Sequence, residues 1–193
     1  MILNHPFRRQ LMLSEYAESR KKIGDFSRHC QAMMKCGKTF APIHEAEFNV
    51  SKHLNYENYF DRLRSGKYGV IVFDHKINDA RFASTIPLKA GGRYRAKIFM
   101  NTKWASTQEI VAFCKAEKDA ILAGPHGLAA AIEHVDKLLP LCKLLVSLDP
   151  NDVHASRVTQ ILSAGKCSTG SWEFSVHNGD WAPGMFFILF FNV

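Results

Sequence analysis

The chain has 193 residues, 47% of them hydrophobic and 22% charged, which fits one ordinary globular domain and excludes collagen-like, coiled-coil and intrinsically disordered classes. Lys plus Arg number 25 against 18 Asp plus Glu, a formal net charge of +7. A basic excess of this size points to a polyanionic partner without naming it.

From Arg8 to about Lys35, Met12, Tyr16, Ile23, Phe26, Cys30 and Met33 recur at three- and four-residue steps, which predicts an amphipathic helix. Glu18 and Lys22 form an i,i+4 pair on its charged face, Gly24 weakens its middle, and Gly37 is a natural stop. Thr39–Val50 is mixed in signal, with a short extended piece after Pro42, and Asn55–Ser65 reads as a short helix ended by Gly66. Tyr68–Phe73 is a β-branched and aromatic run, the pattern of a strand buried on both faces. Ser84–Lys89 and Arg93–Asn101, joined by Ala90-Gly91-Gly92, read as a hairpin in which Pro87 confines its strand to an edge or a bulge.

Ser106 and Glu109 supply the S-x-x-E of a capping box, opening a helix that carries Ile110, Phe113, Cys114 and Ile121 and stops at Gly124-Pro125. Leu128–Leu148 shows the stripe Leu128, Ile132, Val135, Leu139, Cys142 and Leu145 of a core helix, kinked or split at Pro140. A turn at Asp149–Asp152 precedes a short helix that reaches Ala164, with Gly165 as its cap. Ser171–His177 and Met185–Val193 form a C-terminal hairpin whose second strand, wholly apolar, belongs at the centre of its sheet. Helices and strands do not alternate regularly. The expected fold is therefore α+β, a single domain over 1–193 with a mixed or antiparallel sheet, an N-terminal amphipathic helix, a central helical segment and a C-terminal hairpin.

The clearest chemical pattern is cationic. Strand periodicity places Arg93, Arg95, Lys97 and Phe99 on one face of their strand and Tyr94, Ala96, Ile98 and Met100 on the other. The three cations then stand ~6.8 Å apart, a spacing suited to successive phosphates. Lys89, Arg62 and Arg64, with Lys67, Lys76, Arg81 and Lys103, widen this strip if the fold gathers them. A charged outer face is also what any half-exposed antiparallel strand presents, so the pattern has an ordinary structural reading beside the functional one.

Five cysteines without C-x-x-C spacing read as reduced thiols, Cys30, Cys114 and Cys142 falling on helix core faces. No metal and no cofactor is expected. Cys167, in the turn Gly165–Gly170, and His177, at the far end of the following strand, suggest a second function: a cysteine-dependent hydrolase, transferase or deamidase with His177 generating the thiolate. With five Cys and nine His in the chain, such a spacing also arises by chance. Glu45 and Glu47 share a face beside His44, and Asp74-His75 closes a strand, but no HExxH accompanies either set. A third reading is a protein-interaction module, such as a bacterial effector or regulator, whose basic face meets an acidic protein surface.

No apolar leader opens the sequence, and the longest apolar run, Met185–Phe191, is far short of the ~20 residues of a membrane helix. A cytoplasmic protein is expected, or one exported by a route without a cleavable signal peptide. Nucleic acid or an acidic protein surface is the expected partner, not a membrane. The charge excess is local: residues 1–103 hold 19 basic and 9 acidic side chains, and 104–193 hold 6 and 9. A basic first half is thus joined to an apolar, slightly acidic second half, and the partner belongs to the first.

Overall fold

A computed structural model describes residues 6–52, 70–72, 88–134, 144–146, 161–166, 172–177 and 181–193. Its strands are β1 (Phe40–Asn49), β2 (Val70–Val72), β3 (Arg93–Asn101), β4 (Leu144–Val146), β5 (Ile161–Lys166), β6 (Trp172–His177) and β7 (Phe186–Asn192). Its helices are α1 (Pro6–Met34), α2 (Thr107–Ala116) and α3 (Gly124–Glu133). All seven strands join one mixed sheet in the order β1-β3-β7-β4-β5-β6-β2, so the α+β class holds. Among the described residues, no helix is long and apolar enough to cross a membrane.

The apolar C-terminal run sets this order. Every side chain of Phe186–Phe191 is hydrophobic, so β7 needs cover on both faces and a neighbour on both edges. It has β3 antiparallel on one side and β4 parallel on the other. Phe186, Ile188 and Phe190 join a core with Tyr94, Ala96, Ile98 and Met100 of β3, closed by α3 and by Phe26, Cys30 and Met33 of α1. Phe187, Leu189 and Phe191 face the opposite way, into a second core with Phe99, Trp181 and the α2 residues Ile110 and Cys114.

Local signals account for the helices. In α2 the Ser106 hydroxyl accepts from the Glu109 amide while the Glu109 carboxylate accepts from the Ser106 amide at 2.7 Å, the reciprocal capping box read in the sequence. Donation to the carboxylate from the Ser106 amide, and from the Ser106 hydroxyl, holds the Glu109 carboxyl below its ordinary range. The helix α1 runs unbroken through Gly24, carries the Glu18–Lys22 pair at 2.9 Å, and gives way to Gly37 at φ +80°. Its predicted apolar stripe is only partly used: Phe26, Cys30 and Met33 reach the core, whereas Ile23 is exposed.

Several expectations are corrected. The C-terminal hairpin does not form, because β4 and β5 lie between β6 and β7. The stretch before β7 is tied elsewhere: Trp181 and Ala105 exchange backbone bonds, and Gly184 and Met185 bond Asn101. The chain therefore enters β7 from the end of β3. The hairpin of Ser84–Lys89 with Arg93–Asn101 fails for a related reason, since β1 and β7 occupy both edges of β3. The strand within Tyr68–Phe73 lies at the sheet edge among the described residues, pairing only β6.

Gly124-Pro125 opens α3 instead of closing α2, which stops at Ala116. A proline without an amide hydrogen is tolerated in a first helical turn, where that hydrogen has no intrahelical acceptor. The core helix expected over Leu128–Leu148 ends at Glu133, and Leu145 belongs to β4. The end of the short helix expected to reach Ala164 is strand from Ile161, in β5, because pairing with β4 and β6 on both edges overrides local helix signals, and the residues before 161 in that helix lie outside the described ones. Asn55–Ser65, Pro87, Pro140 and Cys142 lie outside the described residues.

Candidate polyanion-binding surface

The two faces of β3 follow the predicted alternation. Tyr94, Ala96, Ile98 and Met100 are all buried, while Arg93 is exposed and Arg95 and Lys97 half-buried on the opposite face. That face changes character along its length. Under α2 it is aromatic, with Phe99 stacked on Phe187 at 5.5 Å and Phe113 edge-on to both. Farther along, Lys97 and Arg95 lie over the Phe191 ring at 5.0 and 5.9 Å. Their stems cover an apolar ring while their charges remain at the surface, and the ring's electron-rich face attracts them.

The edge strand β1 determines what these cations meet. Thr39–Val50, ambiguous as a sequence, forms a ten-residue strand with a bulge between Pro42 and His44. Proline lacks a ladder donor and is accommodated at such an edge. Beyond the bulge, Ala46 and Phe48 oppose Ala96 and Tyr94, which puts Glu45 and Glu47 beside the cations. Glu47 pairs with Arg93 at 2.5 Å, and Glu45 lies 3.4 Å from Arg95 and 3.9 Å from Lys97. The sequence pattern E-x-E against R-x-R-x-K thus becomes a ladder of three cations and two carboxylates. Each exposed pair contributes only about 0–1 kcal/mol to stability, but an arriving phosphate must compete with Glu45 and Glu47.

The end of the strip nearest Arg93 is different. The turn Lys89–Gly92 is closed by Gly92 N–H donating to the Lys89 carbonyl at 2.9 Å, with Gly91 at φ +72°. The Tyr94 hydroxyl accepts from the Lys89 amide at 2.8 Å. Gly91 also donates to Val50, and the Lys52 stem lies against it, so near that a Cβ at Gly91 would sit 3.2 Å from Lys52 Cγ. Lys52, Lys89 and Arg93 are therefore gathered, all exposed, around one turn. Among the described residues no carboxylate lies within ion-pair distance of Lys52 or Lys89. An open depression of about 410 Å³, lined by Glu47, Phe48, Asn49 and Arg93, adjoins them.

The remaining candidates disperse. Arg62, Arg64, Lys67, Lys76 and Arg81 lie outside the described residues, and Lys103 follows the opposite end of β3. Cys167 also lies outside them, while His177 closes β6 opposite Ile161. Cys114 is buried, and desolvation pushes its thiol up to about 12, which suits packing and not nucleophilic attack. Burial raises the Cys30 thiol as well. Among the described residues no three His, Cys, Asp or Glu side chains are placed to hold a metal ion, Glu45 and Glu47 being engaged with the cations.

Lys52 was not singled out by sequence reasoning, because it stands alone in the chain and reaches the turn only through pairing of β1 with β3. Comparison with protein-family models, with characterised proteins and with solved structures finds no match to this chain.

Proposed function

We propose that this protein binds a polyanion, with nucleic acid the class that fits best, through the end of the cationic strip formed by Lys52, Lys89 and Arg93. The observation that carries this reading is the convergence of three exposed cations on one turn, two of them without a carboxylate at ion-pair distance among the described residues. Arg95 and Lys97 extend the surface as a reserve of charge partly compensated by Glu45. Phosphate contact at such a site is electrostatic and releases condensed counterions, so affinity falls steeply with salt.

Fluorescence anisotropy with labelled single- and double-stranded oligonucleotides over a range of salt concentrations tests the reading. Replacing Lys52, Lys89 and Arg93 by Gln together lowers affinity and makes the log–log salt slope shallower by roughly 2–3, about 0.7–0.9 for each lost phosphate contact. Absence of binding at low salt, or an unchanged slope in the triple variant, contradicts it. Capture of an acidic protein in place of either oligonucleotide favours the interaction-module reading.

A further inference from the structure

The opposite end of the β1–β3 ladder carries a second unusual surface. Its last pair is Phe40 with Asn101, and the Thr102 amide continues it by donating to the Thr39 carbonyl at 2.9 Å. The Thr102 hydroxyl donates to the Lys38 carbonyl at 2.5 Å. This bond brings Lys38 to the end of the ladder that Lys103 follows, and Lys35 lies in the turn just before. All three are exposed, and among the described residues none has a carboxylate within ion-pair distance. Like charges gathered at one end of a ladder repel, so the arrangement is relieved by an external anion.

Beside them stands Trp104, 68% exposed, whereas Trp172 and Trp181 are buried. Exposure of an indole is seldom explained by a loose loop when both flanks are fixed. Here Thr102 and Ala105 are buried, Ala105 is locked to Trp181 by two backbone bonds, and Asn101 donates its side-chain amide to the carbonyls of Lys103, Trp181 and Ala182. The ring is thus held out from a fixed base, without the ordering cost that a mobile loop incurs on binding. The start of α2 is not the attraction, because the Glu109 carboxylate already sits there, accepting from the Ser106 amide while the Ser106 hydroxyl caps the Glu109 amide.

We infer that Trp104, with Lys38, Lys103 and Lys35, is a stacking site for an unpaired base of single-stranded nucleic acid, the lysines holding the flanking phosphates. An aromatic face takes any base, and a duplex offers none of its base faces along its length, so the site selects single strands. A bilayer is the poorer occupant, since peripheral insertion needs a wide apolar face and Trp104 is flanked by lysines and hydroxyls. The inference rests on the nucleic-acid reading above and adds strandedness to it. From Arg93 to Lys103 the strand rise gives a separation of roughly 33 Å between the two cationic ends, so each is tested on its own.

Tryptophan emission makes the test direct, because only Trp104 among the three Trp is exposed to solvent. A single-stranded oligonucleotide quenches the long-wavelength emission of the wild type. Trp104→Ala weakens single-strand binding roughly tenfold or more, Trp104→Phe retains most of it, and duplex affinity stays the same. Lys38→Gln with Lys103→Gln makes the single-strand salt slope shallower by about 1.4. Since Trp104 lies on the surface, circular dichroism and Tm of these variants match the wild type. Single-strand binding without quenching, equal affinity in Trp104→Ala, or a blue shift with anionic phosphatidylserine vesicles alone overturns the inference. Loss in the Lys52/Lys89/Arg93 variant with no loss in Trp104→Ala overturns this site only, the converse overturns the turn site only, and no nucleic-acid binding at all overturns both.

Discussion

Glu45 and Glu47 decide how much of the cationic strip is open to a ligand. Both hold cations across the ladder while remaining about half exposed, so their removal costs the fold little and frees charge. Glu45→Gln with Glu47→Gln is expected to tighten polyanion binding and steepen its salt dependence, with a stability change within about 1–2 kcal/mol, measured by anisotropy and urea unfolding. Weaker binding in this variant is the contrary result. His126, at the start of α3, gives a separate pH effect. Burial draws its pKa from 6.5 down to about 4. A folded pKa below the unfolded one means that protons favour the unfolded chain. The His126 contribution is intact above about pH 6.5, is lost progressively as pH falls toward 4, and in full amounts to roughly 3 kcal/mol. Urea unfolding at pH 7 and pH 4.5 checks this: His126→Gln loses less stability between the two than the wild type, and an equal loss contradicts it.

At the scale of elements, close approach matters as much as pattern. The helix α3 crosses β7 at Gly127, where a Cβ would come within 2.5 Å of the Phe190 ring and 3.0 Å of the Ala123 Cβ. Gly127→Ala is expected to destabilise by about 1–3 kcal/mol through overpacking, although alanine is the better helix former, and chemical unfolding measures which effect wins. The sequence made some elements legible and hid others for definable reasons. The alternation in Arg93–Met100 and the Ser106–Glu109 capping box are local signals, and both appear as read. The unpairing of β6 from β7 was not legible, because it depends on β4 and β5 entering between them, and an eight-residue connection allows many partners. The ten residues of β1 looked ambiguous because Pro42 and the bulge interrupt their alternation, and that ambiguity concealed the partners of Arg93, Arg95 and Lys97.

For the whole molecule, the division between a basic first half and an apolar second half has a physical meaning. The second half contributes β4 to β7 and the helices α2 and α3, including Leu128–Ile132, all buried. The first half lays β1 and β3 along one side of this sheet and carries the exposed cations at both ends of their ladder. Charge asymmetry in the sequence therefore becomes spatial asymmetry in the fold, and among the described residues of the ladder and its ends the cations without a carboxylate partner are Lys52 and Lys89 at one end and Lys35, Lys38 and Lys103 at the other, not those of the strip's middle. That distribution was beyond sequence reasoning, which saw the cations of β3 without the carboxylates of β1. The most direct test of the account is the salt dependence of oligonucleotide affinity in the wild type beside the Lys52/Lys89/Arg93 triple Gln variant. The account predicts a wild-type slope that becomes shallower by roughly 2–3 in the variant, and superimposable plots, or no binding at low salt, contradict it.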